Sequence, residues 1–130
     1  GLNPHAGEEG ILGTEEVDVI NQAIHDWKIK NSLVNLSGLI SPDSCWISSA
    51  KAWRTNNNNP PDGILALYHD QGLIPVKIIT LNYSVNTTIG LPIIRTSPDH
   101  GTGFDIAGKG IAQCQSMVEA IKTAYDLLIN

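Results

Sequence analysis

The sequence has few of the features typical of membrane, secreted or nucleic-acid-binding proteins. Aromatic residues make up only 5% of the 130 residues. No apolar run is long enough to cross a bilayer, and the first residues lack the basic and apolar parts of a signal peptide. Lys and Arg form no cluster, and the net charge of -5 argues against a nucleic-acid surface. We therefore expect a cytoplasmic protein with neither a nucleic-acid nor a membrane partner.

Cysteine is also scarce. The two cysteines, Cys45 and Cys114, are far apart in the chain and form no metal-type pair. We expect reduced, packed thiols rather than a disulfide. The apolar fraction of 42% and the charged fraction of 16% are typical of a folded globular protein.

Two segments predict irregular loops. Residues 1–13 hold a proline and four glycines without an initiator Met, and a loop of this kind ordinarily follows a strand. We therefore expect the chain to be a fragment of a longer protein. The asparagine run at 56–59, followed by two prolines, predicts a solvated loop tip.

The most informative segment is a short apolar run at 64–68 that is bounded by turn residues. It predicts a strand buried on both faces of a parallel sheet. His69 and Asp70 follow this strand directly. Because ligands bind outside the carboxyl ends of strands in open α/β sheets, both residues are candidates for a functional site. A histidine that merely caps a strand fits the same pattern equally well.

Three further strands are predicted, each with one polar or charged residue of interest: 76–80 with Lys77, 85–89 with Asn86, and 93–96 with Arg95. Lys77 interrupts an apolar run, so its ammonium either reaches solvent or points into a cleft. The loop 97–110 is dense in glycine and hydrogen-bonding side chains, which lets main-chain amides approach a phosphate or a ribose. With the helices, these elements predict an α/β fold.

Two amphipathic helices and one short helix are predicted. Thr14 is the expected N-cap of the first, whose packing face consists of Val17, Ile20, Ile24 and Trp27. Residues 50–53 predict the short helix. Ser116 and Glu119 predict a capping box for the last helix, whose packing face consists of Met117, a core residue, with Ala120, Ile121, Ala124 and Leu128. We expect His25, beside the first packing face, to lie at the surface.

The polar residues that fall at strand ends or in glycine-rich turns form one set: His5, His69, Asp70, Lys77, Asn86, Arg95, Asp99 and His100. Two neutral imidazoles could take two positions on a divalent ion such as Zn²⁺. Lys77 and Arg95 could neutralise a phosphate and a carboxylate, the arginine in a bidentate manner. The residues alone thus indicate part of an α/β enzyme with an anion site and a candidate metal site.

Four blocks of the sequence resemble, in order, the C-terminal half of the 4-hydroxythreonine-4-phosphate dehydrogenase family of pyridoxal 5′-phosphate biosynthesis: GLNPHAGE at 1–8, YHDQGL at 68–73, VNTTIGLPIIRT at 85–96 and DHGT at 99–102. Residues 100–112 are similar to the dinucleotide loop of isocitrate and isopropylmalate dehydrogenases, whose fold the family shares. The resemblance implies an isocitrate/isopropylmalate dehydrogenase-like α/β/α sandwich, a mixed sheet with flanking helices. It also implies that residues 1–130 are the C-terminal portion of a two-lobed dehydrogenase whose N-terminal half is absent from this chain.

The resemblance also implies roles for individual residues. His5 and His69 would be two of three histidine ligands of a divalent metal, the third belonging to the absent half. Substrate-binding residues would be Lys77, Asn86 and Arg95, and catalytic residues His69, Asp70 and Lys77. Asp70 would either orient His69 or take a proton. The dinucleotide cofactor would contact His100, Gly101, Thr102 and Asp105.

The implied enzyme is an oxidoreductase that uses NAD or NADP and a divalent metal, Zn, Mg or Co. It would oxidise 4-phosphooxy-L-threonine to a β-keto acid, which loses CO₂ to leave 3-amino-2-oxopropyl phosphate. The metal would act on the substrate hydroxyl by lowering its pKa for hydride departure. The resemblance further implies a homodimer with the active site at the subunit interface.

Two alternatives remain at this stage. The protein could be a dehydrogenase of a related phosphorylated hydroxy acid, such as a phospho-threonate or erythronate phosphate, or an inactive fragment that only dimerises or binds cofactor. The sequence also departs from the family pattern, because Glu9 and Ser84 stand where glycine is usual. A Cβ at either position excludes backbone conformations that glycine permits.

Overall fold

The computed structural model describes residues 1–55 and 59–130, so most of the loop tip predicted at 56–59 lies outside the described residues. The chain divides into two compact units, unit 1 at Gly1–Leu73 and unit 2 at Ile74–Asn130. Helices and a small sheet are both present, which confirms the α/β class. In the described part of the chain, no helix is long and apolar enough to cross a membrane.

Unit 1 consists of helices and loops. A tight helical segment at Pro4–Gly10 is followed by a π-helical turn at Glu16–Ile20, which continues into α1 at Asn21–Lys30. Helix α2 spans Ile47–Thr55, so the predicted short helix is confirmed and extends further at both ends. Helix α3, at His69–Thr80, begins in this unit.

The apolar face predicted for the first helix is confirmed only for Ile20 and Ile24, which are half-buried. Val17 and Trp27 are exposed, and the buried residue of this segment is Glu16. Thr14 contributes its carbonyl rather than its side chain, since this oxygen accepts the N–H groups of Val17 and Asp18. Glu16 is buried because its carboxylate accepts several hydrogen bonds. The spacing of apolar residues along a helix cannot predict the burial of a charged side chain.

The predicted strand at 64–68 is also wrong. These residues form no strand, and Leu65 is 83% exposed. A strand requires a hydrogen-bonded neighbour, and the described residues of unit 1 contain none. The apolar run therefore has the composition of a buried strand without a partner to pair with.

The predicted strand at 76–80 forms the second half of α3 instead. His69 and Asp70 therefore begin a helix rather than follow a strand. Pro75 lies inside this helix and has no N–H to donate to the carbonyl of Gln71, one turn earlier. The indole Nε1 of Trp46 donates to that carbonyl at 3.1 Å. A tertiary hydrogen bond thus satisfies the acceptor that proline leaves unpaired, which the local sequence pattern could not indicate.

This arrangement predicts coupling between Trp46 and Pro75. We expect Trp46→Phe to cost about 1 kcal/mol more in the wild-type background than in Pro75→Ala, because an alanine N–H can satisfy the Gln71 carbonyl itself. A double-mutant cycle measured by urea unfolding tests this. Equal costs in the two backgrounds would show that the indole N–H does not compensate for the proline.

Unit 2 is built on an antiparallel pair of strands, β1 at Val85–Thr88 and β2 at Arg95–Pro98, in which Val85 pairs with Pro98 and Thr88 with Arg95. The strand predicted at 85–89 is confirmed, and the one predicted at 93–96 begins two residues later. Helix α4 at Gln115–Ile129 packs on this pair, and its Ala120 carbonyl accepts a hydrogen bond from the Thr96 hydroxyl at 2.9 Å.

Two details predicted for α4 are wrong. Ser116 caps no helical N–H; its hydroxyl donates to the Ser84 carbonyl and accepts the Asp99 N–H, both at 3.0 Å. The predicted packing face is also largely exposed: Met117 is 47% exposed and is not a core residue, and Ile121 and Leu128 are 63% and 73% exposed. The buried residues of α4 are Ser116 and Ala120, because two strands cover only a narrow stripe of the helix.

Candidate functional site

The loop that carries His5 is anchored to Glu16, which is 1% exposed. Glu16 Oε1 accepts the backbone N–H groups of Leu2 and Asn3 at 2.6 and 2.7 Å. Its Oε2 accepts the Asn3 side-chain amide at 2.8 Å. These bonds stabilise the charged form and lower the pKa of Glu16 to about 2. Nothing in the sequence indicated this role of Glu16.

The low pKa of Glu16 predicts acid sensitivity of this loop. The folded-state pKa of about 2 lies below the ordinary value of 4.5, so the stabilisation is present above pH 4.5 and is lost as the pH falls toward 2. We expect the Leu2 and Asn3 amides to lose protection from hydrogen exchange within this pH range. Exchange followed by NMR, corrected for intrinsic rates, measures this. Unchanged protection at pH 2 would contradict it.

The backbone around His5 is left-handed over five consecutive residues, with φ values of 51° at His5, 55° at Ala6, 82° at Gly7, 42° at Glu8 and 57° at Glu9. Each non-glycine residue in this region costs about 1–2 kcal/mol. Such strain persists only where surrounding contacts impose it, and it is concentrated at functional sites. The backbone conformation therefore singles out this loop.

Glu9 occupies one of these left-handed positions, at φ 57°. We expect Glu9→Gly to stabilise the chain by about 1 kcal/mol, since glycine adopts this conformation without a Cβ penalty. Glu15→Gly is the matched control. Glu15 has φ -60° in ordinary helical geometry, so the same change there should destabilise by about 1 kcal/mol. Thermal unfolding of both variants measures the difference in sign.

His5 and His69 share one local arrangement. His5 Nδ1 lies 2.5 Å from Glu8 Oε1, and His69 Nδ1 lies 2.8 Å from Asp70 Oδ1. The hydrogen bond to Glu8, followed by the charge of Glu8, raises the pKa of His5. Both rings are exposed, and Nε2 of neither ring is bonded to any described residue. A carboxylate on Nδ1 fixes the tautomer that leaves Nε2 available as a metal ligand.

Gln71 forms hydrogen bonds with both of the segments that carry these histidines. It is buried in the first turn of α3, and its Nε2 donates to the Gly1 carbonyl at 2.8 Å. Its Oε1 accepts the Leu67 N–H at 2.7 Å, which stabilises the backbone just before His69. Gln71 lies in the YHDQGL block, but nothing in the sequence indicated that its side chain would reach the start of the chain.

The donor chemistry of His5 and His69 fits a divalent metal with two imidazole ligands. Among the residues that the structure describes, no three His, Cys, Asp or Glu side chains are gathered as a metal site. The fit therefore rests on the two rings and their carboxylate partners, and further ligands would have to come from outside these groups.

His25 is exposed on α1, as predicted. Cys45 and Cys114 form no disulfide, also as predicted, although Cys114 is exposed rather than packed.

Unit 2 contains an ordered ion pair. Lys77, in the last part of α3, lies with Nζ 3.2 Å from Asp99 Oδ1 and 3.3 Å from the Asp99 carbonyl. Asp99 Oδ2 accepts a hydrogen bond from the Ser84 hydroxyl at 3.0 Å. Ser84 and Ser116 therefore hold Asp99 from two sides, and Asp99 holds the ammonium. The serine at position 84, a departure from the family pattern, has a defined role here that the sequence did not indicate.

Asp99 also borders a cavity of about 570 Å³ in unit 2, which is lined by the glycine-rich loop. The lining includes three of the four predicted cofactor-binding residues, His100, Gly101 and Thr102, but not Asp105. Gly103, Gly108 and Gly110 adopt positive φ and allow the loop to bend around the cavity. A cavity of this size can hold a nucleotide-sized ligand.

Asn86 and Arg95 lie on the two paired strands. Arg95 Nη1 donates to the Thr88 hydroxyl at 2.9 Å, and Thr88 is its partner in the register. Asn86 pairs with Ser97, and both Asn86 and Arg95 are exposed. The strand pair therefore presents an amide and a guanidinium to solvent.

Comparison with known proteins shows which family the chain belongs to. The model of the family described as pyridoxal phosphate biosynthetic protein PdxA matches residues 1–124. The chain belongs to the PdxA family. Proteins named 4-hydroxythreonine-4-phosphate dehydrogenase from Synechococcus sp. (strain RCC307) and Synechocystis sp. (strain ATCC 27184 / PCC 6803 / Kazusa) are each 53% identical over 98% of this chain.

A solved structure from Salmonella typhimurium, provisionally assigned to the same dehydrogenase, matches this PdxA-family chain with a TM-score of 0.73 and 42% identity over 98% of the chain. The chain spans only 39% and 37% of the two cyanobacterial relatives, and 36% of the Salmonella chain. The resemblance stated from the four sequence blocks is confirmed at the level of the family.

Proposed function

We propose that this chain is part of an NAD(P)- and divalent-metal-dependent 4-hydroxythreonine-4-phosphate dehydrogenase in pyridoxal 5′-phosphate biosynthesis. The observation that carries the proposal is the 53% identity over 98% of the chain to relatives of that name. We further propose that residues 1–130 form the C-terminal portion of a two-lobed, isocitrate/isopropylmalate dehydrogenase-like sandwich. The whole enzyme would be a cytoplasmic homodimer with its active site at the subunit interface.

In the proposed reaction, a hydride leaves the secondary alcohol carbon of 4-phosphooxy-L-threonine for NAD(P)⁺, and the hydroxyl proton passes to a base. The resulting β-keto acid releases CO₂ and leaves 3-amino-2-oxopropyl phosphate. His5 and His69 would hold the divalent metal through Nε2. A divalent ion bound there would supply a Lewis acid toward the substrate hydroxyl. Asp70, 2.8 Å from His69 Nδ1, would orient His69 rather than take the proton.

Lys77 and Arg95 would bind the anionic groups of the substrate, and Asn86 its polar groups. Asp99 keeps the Lys77 ammonium in a defined position before the substrate arrives. An ordered cation loses less conformational entropy on binding a phosphate than a mobile one. The Lys77–Asp99 pair thus supports the role of Lys77 as a substrate-binding residue, and its catalytic role is proposed from the resemblance to the family alone.

The glycine-rich loop would bind the dinucleotide through His100, Gly101 and Thr102, with Asp105 contributing from the same loop. Main-chain amides of such loops can approach a phosphate because glycine adds no side chain. The cavity beside Asp99 supports this assignment, since it is lined by the first three of these residues.

The proposal is tested by following NAD(P)⁺ reduction with 4-phosphooxy-L-threonine and Zn²⁺, Mg²⁺ or Co²⁺, using both this chain and the longer protein that contains it. We expect turnover from the longer protein and from this chain only when the missing part is supplied. Turnover restricted to phospho-threonate or erythronate phosphate would instead indicate a related dehydrogenase. Saturable NAD⁺ binding without turnover by either protein would indicate a cofactor-binding fragment.

A further inference from the structure

His5 lies between two points of its loop that contact the same buried carboxylate. On one side, Asn3 donates its backbone N–H and its side-chain amide to Glu16. On the other side, Gly7 lies so close to Glu16 that a Cβ on Gly7 would be 2.9 Å from Oε2. The two contacts fall two residues before and two residues after His5.

Two backbone hydrogen bonds stabilise the loop at these contact points. The Asn3 carbonyl accepts the Ala6 N–H at 3.0 Å, which closes a turn around His5. The Gly7 carbonyl accepts the Leu12 N–H, also at 3.0 Å, and holds the end of the left-handed segment. The strained backbone of His5 therefore lies between two residues, Asn3 and Gly7, that contact Glu16 and each form a further backbone hydrogen bond within the loop.

We infer that Glu16 is a positioning residue, which holds the His5 loop in its left-handed conformation and thereby directs the imidazole toward a divalent cation. The inference rests on the proposed metal-binding role of His5. Three observations support a specific function over ordinary packing. Glu16 is the most buried large side chain among the described residues, its carboxylate accepts two backbone N–H groups and one side-chain amide from the start of the His5 loop, and the backbone of that loop is left-handed, which is unfavourable for its non-glycine residues.

The neighbouring carboxylate provides a matched control. Glu15 also contacts Asn3, through a single hydrogen bond from the side-chain amide to Oε2 at 2.6 Å, and it is exposed. It bonds no backbone N–H of the loop. Glu15→Ala therefore removes the same chemical group one residue away without releasing Leu2 or the Asn3 main chain.

The test uses this chain, labelled with ¹⁵N, in wild-type, Glu16→Ala, Glu16→Gln and Glu15→Ala forms. Zn²⁺ affinity is measured by calorimetry, and the backbone of residues 5–9 by scalar couplings. For Glu16→Ala we expect at least a tenfold loss of Zn²⁺ affinity and loss of the left-handed couplings, with helical circular dichroism retained. Glu16→Gln should recover part of both, because its remaining oxygen can still accept the Leu2 and Asn3 N–H groups. Glu15→Ala should resemble wild type.

The outcomes separate this inference from the proposed function. A Glu16→Ala chain that keeps the left-handed couplings, or loses them with unchanged Zn²⁺ affinity, would overturn the positioning role. A wild-type chain that binds no Zn²⁺ would remove the metal role of His5 and with it the cation part of the inference. The couplings of Glu16→Ala alone would then decide whether Glu16 holds the loop.

Discussion

Zn²⁺ binding by the chain is expected to fall at least about 100-fold in both His5→Ala and His69→Ala. Each substitution removes one of the two imidazoles proposed as direct ligands, and changes to residues that merely support a ligand already cost about 10- to 100-fold. Both rings are exposed and bond only a neighbouring carboxylate, so the fold should survive. Calorimetric titration with Zn²⁺, with circular dichroism as a check of folding, measures the loss.

His25→Ala provides the control, because His25 is an exposed histidine on α1 that lies outside the proposed site. The His25→Ala chain should bind Zn²⁺ with the same affinity as the wild-type chain. A similar loss in all three variants would indicate nonspecific binding to surface imidazoles. A loss in only one of His5→Ala and His69→Ala would show that the two rings do not share an ion.

Gly7→Ala is expected to destabilise unit 1 by about 3 kcal/mol. Gly7 has φ 82°, where an alanine costs about 1–2 kcal/mol, and overpacking a filled site adds about 1–3 kcal/mol. The new Cβ would lie 2.8 Å from the Gly13 carbonyl oxygen and 2.9 Å from Glu16 Oε2. The backbone atom cannot move away without breaking the loop. Chemical denaturation monitored by circular dichroism measures the change.

Gly38→Ala and Gly63→Ala are the matched controls within unit 1. Neither residue has a positive φ, and no atom lies within 4 Å of the Cβ that alanine would add. Both substitutions should therefore change stability by less than about 0.5 kcal/mol. A Gly7→Ala variant that is equally neutral would contradict the close packing of this loop around Glu16.

The predictions that held are those in which local sequence and structure agree. Residues 85–88 are rich in β-branched side chains and form a strand, as their composition indicated, and the structure adds that they pair with 95–98. Helix α4 contains no glycine or proline and many good helix formers, and it forms where the sequence predicted it, although the predicted capping box does not form. The first two residues of the loop predicted at 97–110 belong to β2, and the remainder, 99–110, forms turns because several of its glycines take positive φ.

The predictions that failed depended on neighbours that a single segment does not specify. Residues 64–68 and 76–80 are both short apolar runs, which periodicity alone cannot assign to helix or strand. The first lacks a strand partner, and the second forms a helix in which Trp46 satisfies the carbonyl opposite Pro75. Composition gave both runs the same prediction, and only their tertiary surroundings distinguish them.

By itself, the sequence determined the α/β class and the PdxA family, because both depend on residue types in a fixed order, and it supplied the site residues that the proposed function uses. The tertiary structure alone decided that Glu16 is buried, that Ser84 and Ser116 hold Asp99, and that Gln71 reaches Gly1. These contacts join residues 13 to 70 positions apart in the chain. A hydrogen bond at such separation depends on how the chain folds back on itself, which local propensity does not encode.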